Sequence, residues 1–461
     1  MKTRAFALAM VGALTIAACG GDDESATTEA PATTEAPSTE APSTEAPAGT
    51  EAPAATEAPA ASGWAVDTES CVDPDAANAP IEGSIKIGSA MPLSGGVAAT
   101  AFAPVKDGFE AYIQYANENQ LLGDVEIEAQ IEDDQYNKDL TPAAVEKLLD
   151  EGAHVFSSII GTPNNIAVRD LLNEECYPQL LALSGAPDFA EAEEYPWTTG
   201  LLISYVAEAK AYAALIAERF PEGANVGVFV VNNEFGQTYA EAFKEIAPEF
   251  GITITGEQTI EATDNAPPVA QVNALAGDAP DVIFAVPLGV GCASFLSEVA
   301  AAKAANAGWE PEIFITATCS SPLILGLAGP AADGILTANN LVDILDPETA
   351  ALPAIAEYLA FMEGLGKSDI VTTAAAGWHA AEMTVKILAQ AQASEAGLTR
   401  ASIIDAARNF DQTGTFTREG VRMRTSGLED QYVAESLQVL QYDADTQLFT
   451  EVGELITEFE S

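Results

Sequence analysis

From residue 84 onward the chain alternates short, nearly continuous apolar runs with longer stretches whose apolar residues recur every three or four positions. The runs at 85–91, 125–132, 155–160, 179–183, 225–231, 252–258, 281–286 and 312–317 read as strands. Several lack strict alternation, which points to strands buried on both faces of a parallel sheet. The intervening stretches read as helices. Thr141 and Pro142 supply an N-cap oxygen and a proline at the first helical position, and Gly152 follows the last turn. After Ser204, the residues Val206, Ala209, Ala213, Ile216 and Phe220 fall on one helical stripe. Repeated strand–helix units predict an α/β fold with right-handed crossovers. The strands are too many for one comfortable sheet, so two Rossmann-like lobes are expected. In such sheets ligands sit beyond the carboxyl ends of the strands, which makes the residues just after each run the candidates for chemistry.

The first 63 residues follow another pattern. Lys2 and Arg4 precede an apolar run from 5 to 18, too short to span a bilayer, which reads as a signal-peptide core. It ends in Ala17-Ala18-Cys19-Gly20, which resembles the lipobox of bacterial lipoproteins and makes Cys19 the expected lipidation site. Thr-Glu-Ala-Pro then recurs six times between 28 and 59. Proline removes backbone donors, the glutamates repel one another, and no large apolar residue is available for a core. A disordered spacer is expected, reaching roughly 140 Å if fully extended. A lipid anchor followed by such a spacer favours an extracytoplasmic binding protein, held at the outer face of the cell membrane by the lipid alone.

Charge narrows the partners. Eighteen Lys and Arg stand against 70 Asp and Glu, a formal charge of −52, which argues against nucleic acid and against electrostatic attachment to anionic lipid. Only nine of the acids lie between 20 and 63; beyond them 61 acids face 16 bases, so the folded lobes are themselves strongly negative. That field opposes a bare carboxylate ligand unless a local positive potential receives it. With only His154 and His379 present, no metal site is expected, and nothing points to a cofactor. Apart from Cys19 there are four cysteines, Cys71, Cys176, Cys292 and Cys319. Cys292 and Cys319 each follow an apolar run, so neighbouring strands would bring them within bridging reach and leave Cys71 with Cys176; free buried thiols are the alternative.

Motifs for catalysis are weak. Gly364-Leu365-Gly366-Lys367-Ser368 looks like the end of a P-loop, but Phe361 stands where the first glycine belongs. Gly289-Val290-Gly291 with Ser294 fails the dinucleotide fingerprint at its third position and reads as a turn facing a cleft. Glu132, Asp133 and Asp134 alternate faces of a strand and read as a solvated end or as hydrogen-bonding groups. His379, beside Trp378 in an alanine-rich segment, reads as a packed helix residue with no local catalytic partner. No catalytic residue is assigned, and an enzyme is not expected.

The order Ile85-Lys86-Ile87-Gly88, Met91-Pro92-Leu93-Ser94-Gly95 and Asp133-Asp134 resembles the leucine/isoleucine/valine-binding protein family, from about 84 to 442. These are substrate-binding proteins of ABC importers with the type I periplasmic-binding fold. The resemblance implies a monomer of two lobes that closes over a small polar solute, an amino acid or a related amide or acid, and delivers it to ABC permease subunits. A ligand-sensing receptor of the same fold is the alternative, and an extracytoplasmic enzyme the lesser one. Crossings are expected near Gly200, Asp333 and Glu435. The implied layout is a leader at 1–18, a spacer at 19–63 and an extension at 64–83. Lobe 1 would comprise 84–200 and 333–435, and lobe 2 201–332 and 436–461.

The same resemblance supplies a pocket. Thr162, Asn164 and Asn165, in a loop that opens a helix, would take a ligand carboxylate, and Ser184 and Gly185 would make the next ligand contact; Thr162 or Asn164 as a plain helix cap is the other reading. Phe235 would cover the ligand from the second lobe, Phe102 would form a further wall, and Leu288 would replace an aromatic wall residue. Relatives that bind α-amino acids place a glutamate near the end of the strand at 312–317. This chain has Thr316-Ala317-Thr318-Cys319 there, with Thr318 facing the ligand. Either another carboxylate substitutes, with Glu234 a candidate, or the ligand is not an ordinary amino acid.

Overall fold

A computed structural model of the protein describes residues 63–457, so the expected leader, the lipidated Cys19 and the Thr-Glu-Ala-Pro spacer lie outside the described residues. Strands β1 (Ser84–Met91), β2 (Glu126–Asp133), β3 (Val155–Ser157), β4 (Gln179–Ala182) and β5 (Thr198–Gly200) form a parallel sheet in the order β2-β1-β3-β4-β5. A second sheet holds β6 (Ala224–Val231), β7 (Ile252–Ile260), β8 (Val282–Val286), β9 (Glu312–Ile315) and β10 (Leu336–Asn339), all parallel. A two-residue ladder of β11 (Asp411–Gln412) and β12 (Met423–Arg424) precedes the last two strands. These, β13 (Leu437–Asp443) and β14 (Leu448–Ile456), add antiparallel to the second sheet, whose order is β14-β13-β10-β9-β8-β6-β7.

Each of the eight apolar runs contains a strand, with ends displaced where the run continues into a buried turn. The run at 155–160 is strand only through Ser157, because Ser158 takes φ +60° and breaks the ladder. The helix Thr141–Asp150 begins one residue earlier than expected: Leu140 is its N-cap and Pro142 sits at the second position. Thr141 does not cap it, since its hydroxyl donates to Asp134 Oδ2 at 3.0 Å and to the Asn137 carbonyl at 3.3 Å. The stripe after Ser204 forms the helix Tyr205–Arg219, with Ala209, Ala213 and Ile216 buried and Ser204 capping through the Ala207 N–H. Gly366 is a left-handed turn after the helix Pro353–Gly364, and Lys367 pairs with Asp107 at 2.8 Å; both have structural work remote from phosphate binding.

The chain passes between the sheets more than once. After β10 it returns to the first sheet, where Thr384 on the helix Val371–Gln392 hydrogen-bonds Ser157 of β3 at 2.7 Å. The second passage therefore follows Asn339 and not Asp333, because residues 336–339 are held in the second sheet by β9 and β13. Two disulfides close the framework: Cys71–Cys176 ties the N-terminal extension to the end of the helix Thr162–Glu174, and Cys292–Cys319 links the segments leaving the adjacent strands β8 and β9.

The helices Gly96–Glu118 and Val371–Gln392 cross backbone to backbone. A Cβ on Gly108 would lie 1.8 Å from the Ala374 carbonyl oxygen, and one on Gly377 the same 1.8 Å from the Val105 carbonyl oxygen. Among the described residues no helix is long and apolar enough to cross a membrane.

Candidate functional site

A cavity of about 250 Å³ lies where both sheets end, walled by the turns after the strands and by the two crossing helices. Phe102 and Val105 come from one crossing helix, and Thr373, Ala376 and His379 from the other. The second lobe contributes Phe235, Tyr239, Leu288 and Thr318. Of the expected site residues, Phe102, Phe235 and Thr318 line this cavity, as does Leu288. Phe102 stacks on Tyr136, ring centroids 6.3 Å apart, and Phe235 stands edge-on to Tyr205 at 5.6 Å.

The expected carboxylate donors stand one layer behind the wall. Thr162 and Ser184 are fully buried, with hydroxyls 2.7 Å apart. Tyr205, which does line the cavity, packs against this turn, and its N–H donates to the Gly185 carbonyl at 2.9 Å. Its ring packs so tightly that a Cβ on Gly185 would meet Tyr205 Cδ1 at 2.7 Å. The hydroxyls that the resemblance gives to a ligand thus serve each other, and Ser184 also accepts the Ala186 N–H at 3.2 Å. Burial pushes the Tyr205 hydroxyl above its usual pKa, so that oxygen is neutral. Asn164 and Asn165 do not join this group. Asn164 donates to Asp134 and Thr141, and Asn165 to the carbonyls of Ile159 and Gly161, because the turn after β3 needs its own backbone and side-chain partners. Thr162→Val is expected to lower stability by about 1–3 kcal/mol, since it takes the buried side-chain partner from the Ser184 hydroxyl. A shift in the urea midpoint measures this, and an unchanged midpoint would deny the hydroxyl that role.

The place of the absent glutamate is filled from another element. Glu208, fully buried on the helix Tyr205–Arg219, lines the cavity, and its Oε1 accepts the Ala317 N–H at 2.8 Å. Its Oε2 accepts the Tyr239 hydroxyl at 2.7 Å, which in turn accepts from Thr316 at 3.0 Å. Burial lifts the Glu208 carboxyl to about 7, against an ordinary 4.5, despite these hydrogen bonds. Glu234, the substitute suggested by sequence, pairs with Lys138 and does not line the cavity. A carboxylate inside the apolar stripe of Tyr205, Ala209 and Tyr212 was the available signal for Glu208, since burying a charge there demands partners.

The far wall comes from the loop after β10, with Leu341, Val342 and Ile344, and from Phe416 and Met423. Its charged groups are engaged: Arg418 pairs with Glu451 at 2.7 Å, and Asp343 accepts the N–H groups of Leu345 and Phe449. The lobes also touch along a rim. Lys138 reaches Glu234, and the Val290 N–H donates to the Val97 carbonyl at 3.1 Å. Gly289 beside it is required, since a Cβ there would fall 2.4 Å from the same carbonyl oxygen. Among the described residues no cluster of three or more His, Cys, Asp or Glu could hold a metal ion. Asp133 instead receives the N–H groups of Leu93, Ser94 and Gln135, which fixes the loop after β1.

Comparison with known proteins agrees with this architecture. A branched-chain amino acid ABC transporter protein from Thermus thermophilus, solved with bound valine, superposes with a TM-score of 0.72 at 20% identity, over 81% of this chain and 97% of that one. A fatty acid ABC transporter substrate-binding protein from Thermomonospora curvata gives 0.67 at 20% identity, covering 82% and 94%. A solute-binding protein of an ABC transporter from R. palustris, in complex with 4-hydroxybenzoate, gives 0.66 at 19%, covering 81% and 97%. No curated protein sequence matches the chain. The sequence profile of the periplasmic binding protein family matches residues 84–447, and the chain, with its two α/β lobes of type I architecture, belongs to that family.

Proposed function

We propose that this protein is the lipid-anchored, extracytoplasmic substrate-binding component of an ABC importer, and that its cargo is an uncharged, largely apolar small solute. The observation that carries the choice of cargo is that Thr162 and Ser184 stand outside the cavity lining, their buried hydroxyls bonded to each other. A zwitterionic amino acid would not meet those hydroxyls on the wall, and its ammonium would meet a Glu208 already hydrogen-bonded at both oxygens. Phe102, Phe235, Leu288, Ile344 and Phe416 offer apolar surface instead. Work is done by preferential binding to the closed arrangement of the lobes, with no covalent step.

Thermal denaturation against a panel tests this. Uncharged aromatic and alkyl amides and alcohols are expected to raise Tm, and leucine, isoleucine and valine to leave it unchanged. A cargo at 100 times its Kd stabilises by about 2.7 kcal/mol, well within detection. Stabilisation by leucine with none by the neutral compounds would reject the proposed cargo.

A further inference from the structure

We infer that Asn340 is the specificity-determining residue of the cavity and pairs edge to edge with a cargo carboxamide. The solute class is then an apolar body carrying a primary amide, or an equivalent neutral group with N–H beside C=O. The inference rests on reading the cavity as the solute site and deepens that reading. Asn340 lines the cavity directly after β10 and is 8% exposed. Among the described residues its side-chain amide has no hydrogen-bond partner, yet both amide atoms keep accessible surface. A primary amide carries two donor hydrogens and an acceptor oxygen, and burying it idle is costly. The neighbouring Asn339 shows the contrast. Its Nδ2 donates to Ser320 Oγ at 2.9 Å, and its Oδ1 accepts the Leu341 N–H at 2.9 Å. Asn339 holds the turn; the Asn340 side chain has no such duty.

The main chain fixes where that amide stands. The Asn340 carbonyl accepts the Arg418 N–H at 3.2 Å, and the next residue, Leu341, forms a β-bridge with Thr417. Oδ1 and Nδ2 of one carboxamide lie side by side, so an acceptor and a donor share a single edge. A cargo amide closes a two-bond ring on that edge, its N–H going to Oδ1 and its C=O receiving an Nδ2 hydrogen. A carboxylate can use only the donor and sets its charge against Oδ1, and an amidinium can use only the acceptor. Ser320, on the same wall, accepts from Asn339 and keeps its own hydroxyl proton for a further acceptor. The charged groups there favour neither ion. Arg418 is paired with Glu451, and Asp343 already accepts an N–H at each carboxylate oxygen. Leu341, Ile344 and Phe416 complete that wall with apolar surface.

The test uses four probes of similar shape, benzamide, benzoate, benzamidinium and toluene, titrated calorimetrically into the protein at pH 7.5. Benzamide is expected to bind about tenfold or more tighter than toluene and than either ion, as two buried hydrogen bonds would give. Asn340→Leu keeps the shape of the side chain and removes both amide atoms. It should abolish the benzamide preference, leave toluene binding within about twofold, and hold or raise the Tm of the unliganded protein, because no partner is lost. Asn340→Asp replaces the donor with a second, charged acceptor and should move the preference from benzamide to benzamidinium. The assignment is overturned if benzamide binds the parent no better than toluene, if either ion binds it tighter than benzamide, or if Asn340→Leu keeps the preference. It is also overturned if Asn340→Leu lowers the unliganded Tm, as a purely structural asparagine would require. Toluene binding without a benzamide advantage sinks only the role of Asn340, whereas failure of both neutral probes sinks the apolar-cargo reading with it.

Discussion

Gly108→Ala and Gly377→Ala are each expected to destabilise the protein by about 3 kcal/mol, at the upper end of what overpacking costs. Helix propensity alone predicts the opposite sign, since alanine is better than glycine in a helix interior by up to about 1 kcal/mol. Neither glycine has a positive φ, so conformational need does not explain them. Proximity does: the new Cβ would sit 1.8 Å from a carbonyl oxygen of the facing helix in both cases. Carbonyls of a helix backbone cannot swing away as a side-chain tip can, so the helices must part along their length. Because they carry Phe102, Val105, Thr373 and His379, the cavity wall would move with them. Urea denaturation checks the sign, and a midpoint at or above the parent's would refute the crossing. Any probe that stabilises the parent should stabilise these variants less.

Glu208→Gln and His379→Phe are expected to tilt the pH dependence of stability in opposite directions. The Glu208 carboxyl titrates near 7 in the folded protein against an ordinary 4.5. The folded state therefore holds a proton that the unfolded state has released, and this contribution, full below 4.5, is lost as pH rises to about 7. His379 titrates near 4 against an ordinary 6.5, so its contribution is full above 6.5 and is lost as pH falls towards 4. Each window spans about 3 kcal/mol. In the parent the two slopes largely cancel between 4.5 and 6.5. Relative to the parent, Glu208→Gln should gain stability as pH rises through its window, and its amide can still serve the Ala317 N–H. His379→Phe should show its largest gain at low pH and lose it as pH rises. The tyrosines around Glu208 stay neutral throughout, which keeps its slope separable. Urea titrations at pH 4.5, 5.5, 6.5 and 7.5 measure both, and offsets independent of pH would contradict the burial of these groups.

The parallel cores were legible because β8 is buried throughout and β6 from Val226 onward, so both appear as nearly unbroken apolar runs. β14 was not, since its residues are partly or fully exposed and none is buried; nor was β5, whose Thr198-Thr199-Gly200 has no large apolar side chain. In the cavity, Phe102, Phe235 and Thr318 could be named because each follows a strand in a familiar order. Tyr205 and Glu208 could not, because what matters is their reach across space, to the turn after β4 in one case and the turn after β9 in the other. The expected role of Thr162 and Ser184 assumed open hydroxyls, and no local pattern announces that the two bond each other away from the cavity. The far wall at Leu341–Ile344 and Phe416 has no helical or strand period to read, and only the return of the chain after β10 brings it to the site.

The rim contacts Lys138 to Glu234 and Val290 to Val97 bear on time as well as shape. Any further parting of the lobes has to break both contacts. The same links delay escape, so a modest affinity can coexist with a long residence. For a solute-binding protein, slow release is itself a useful property.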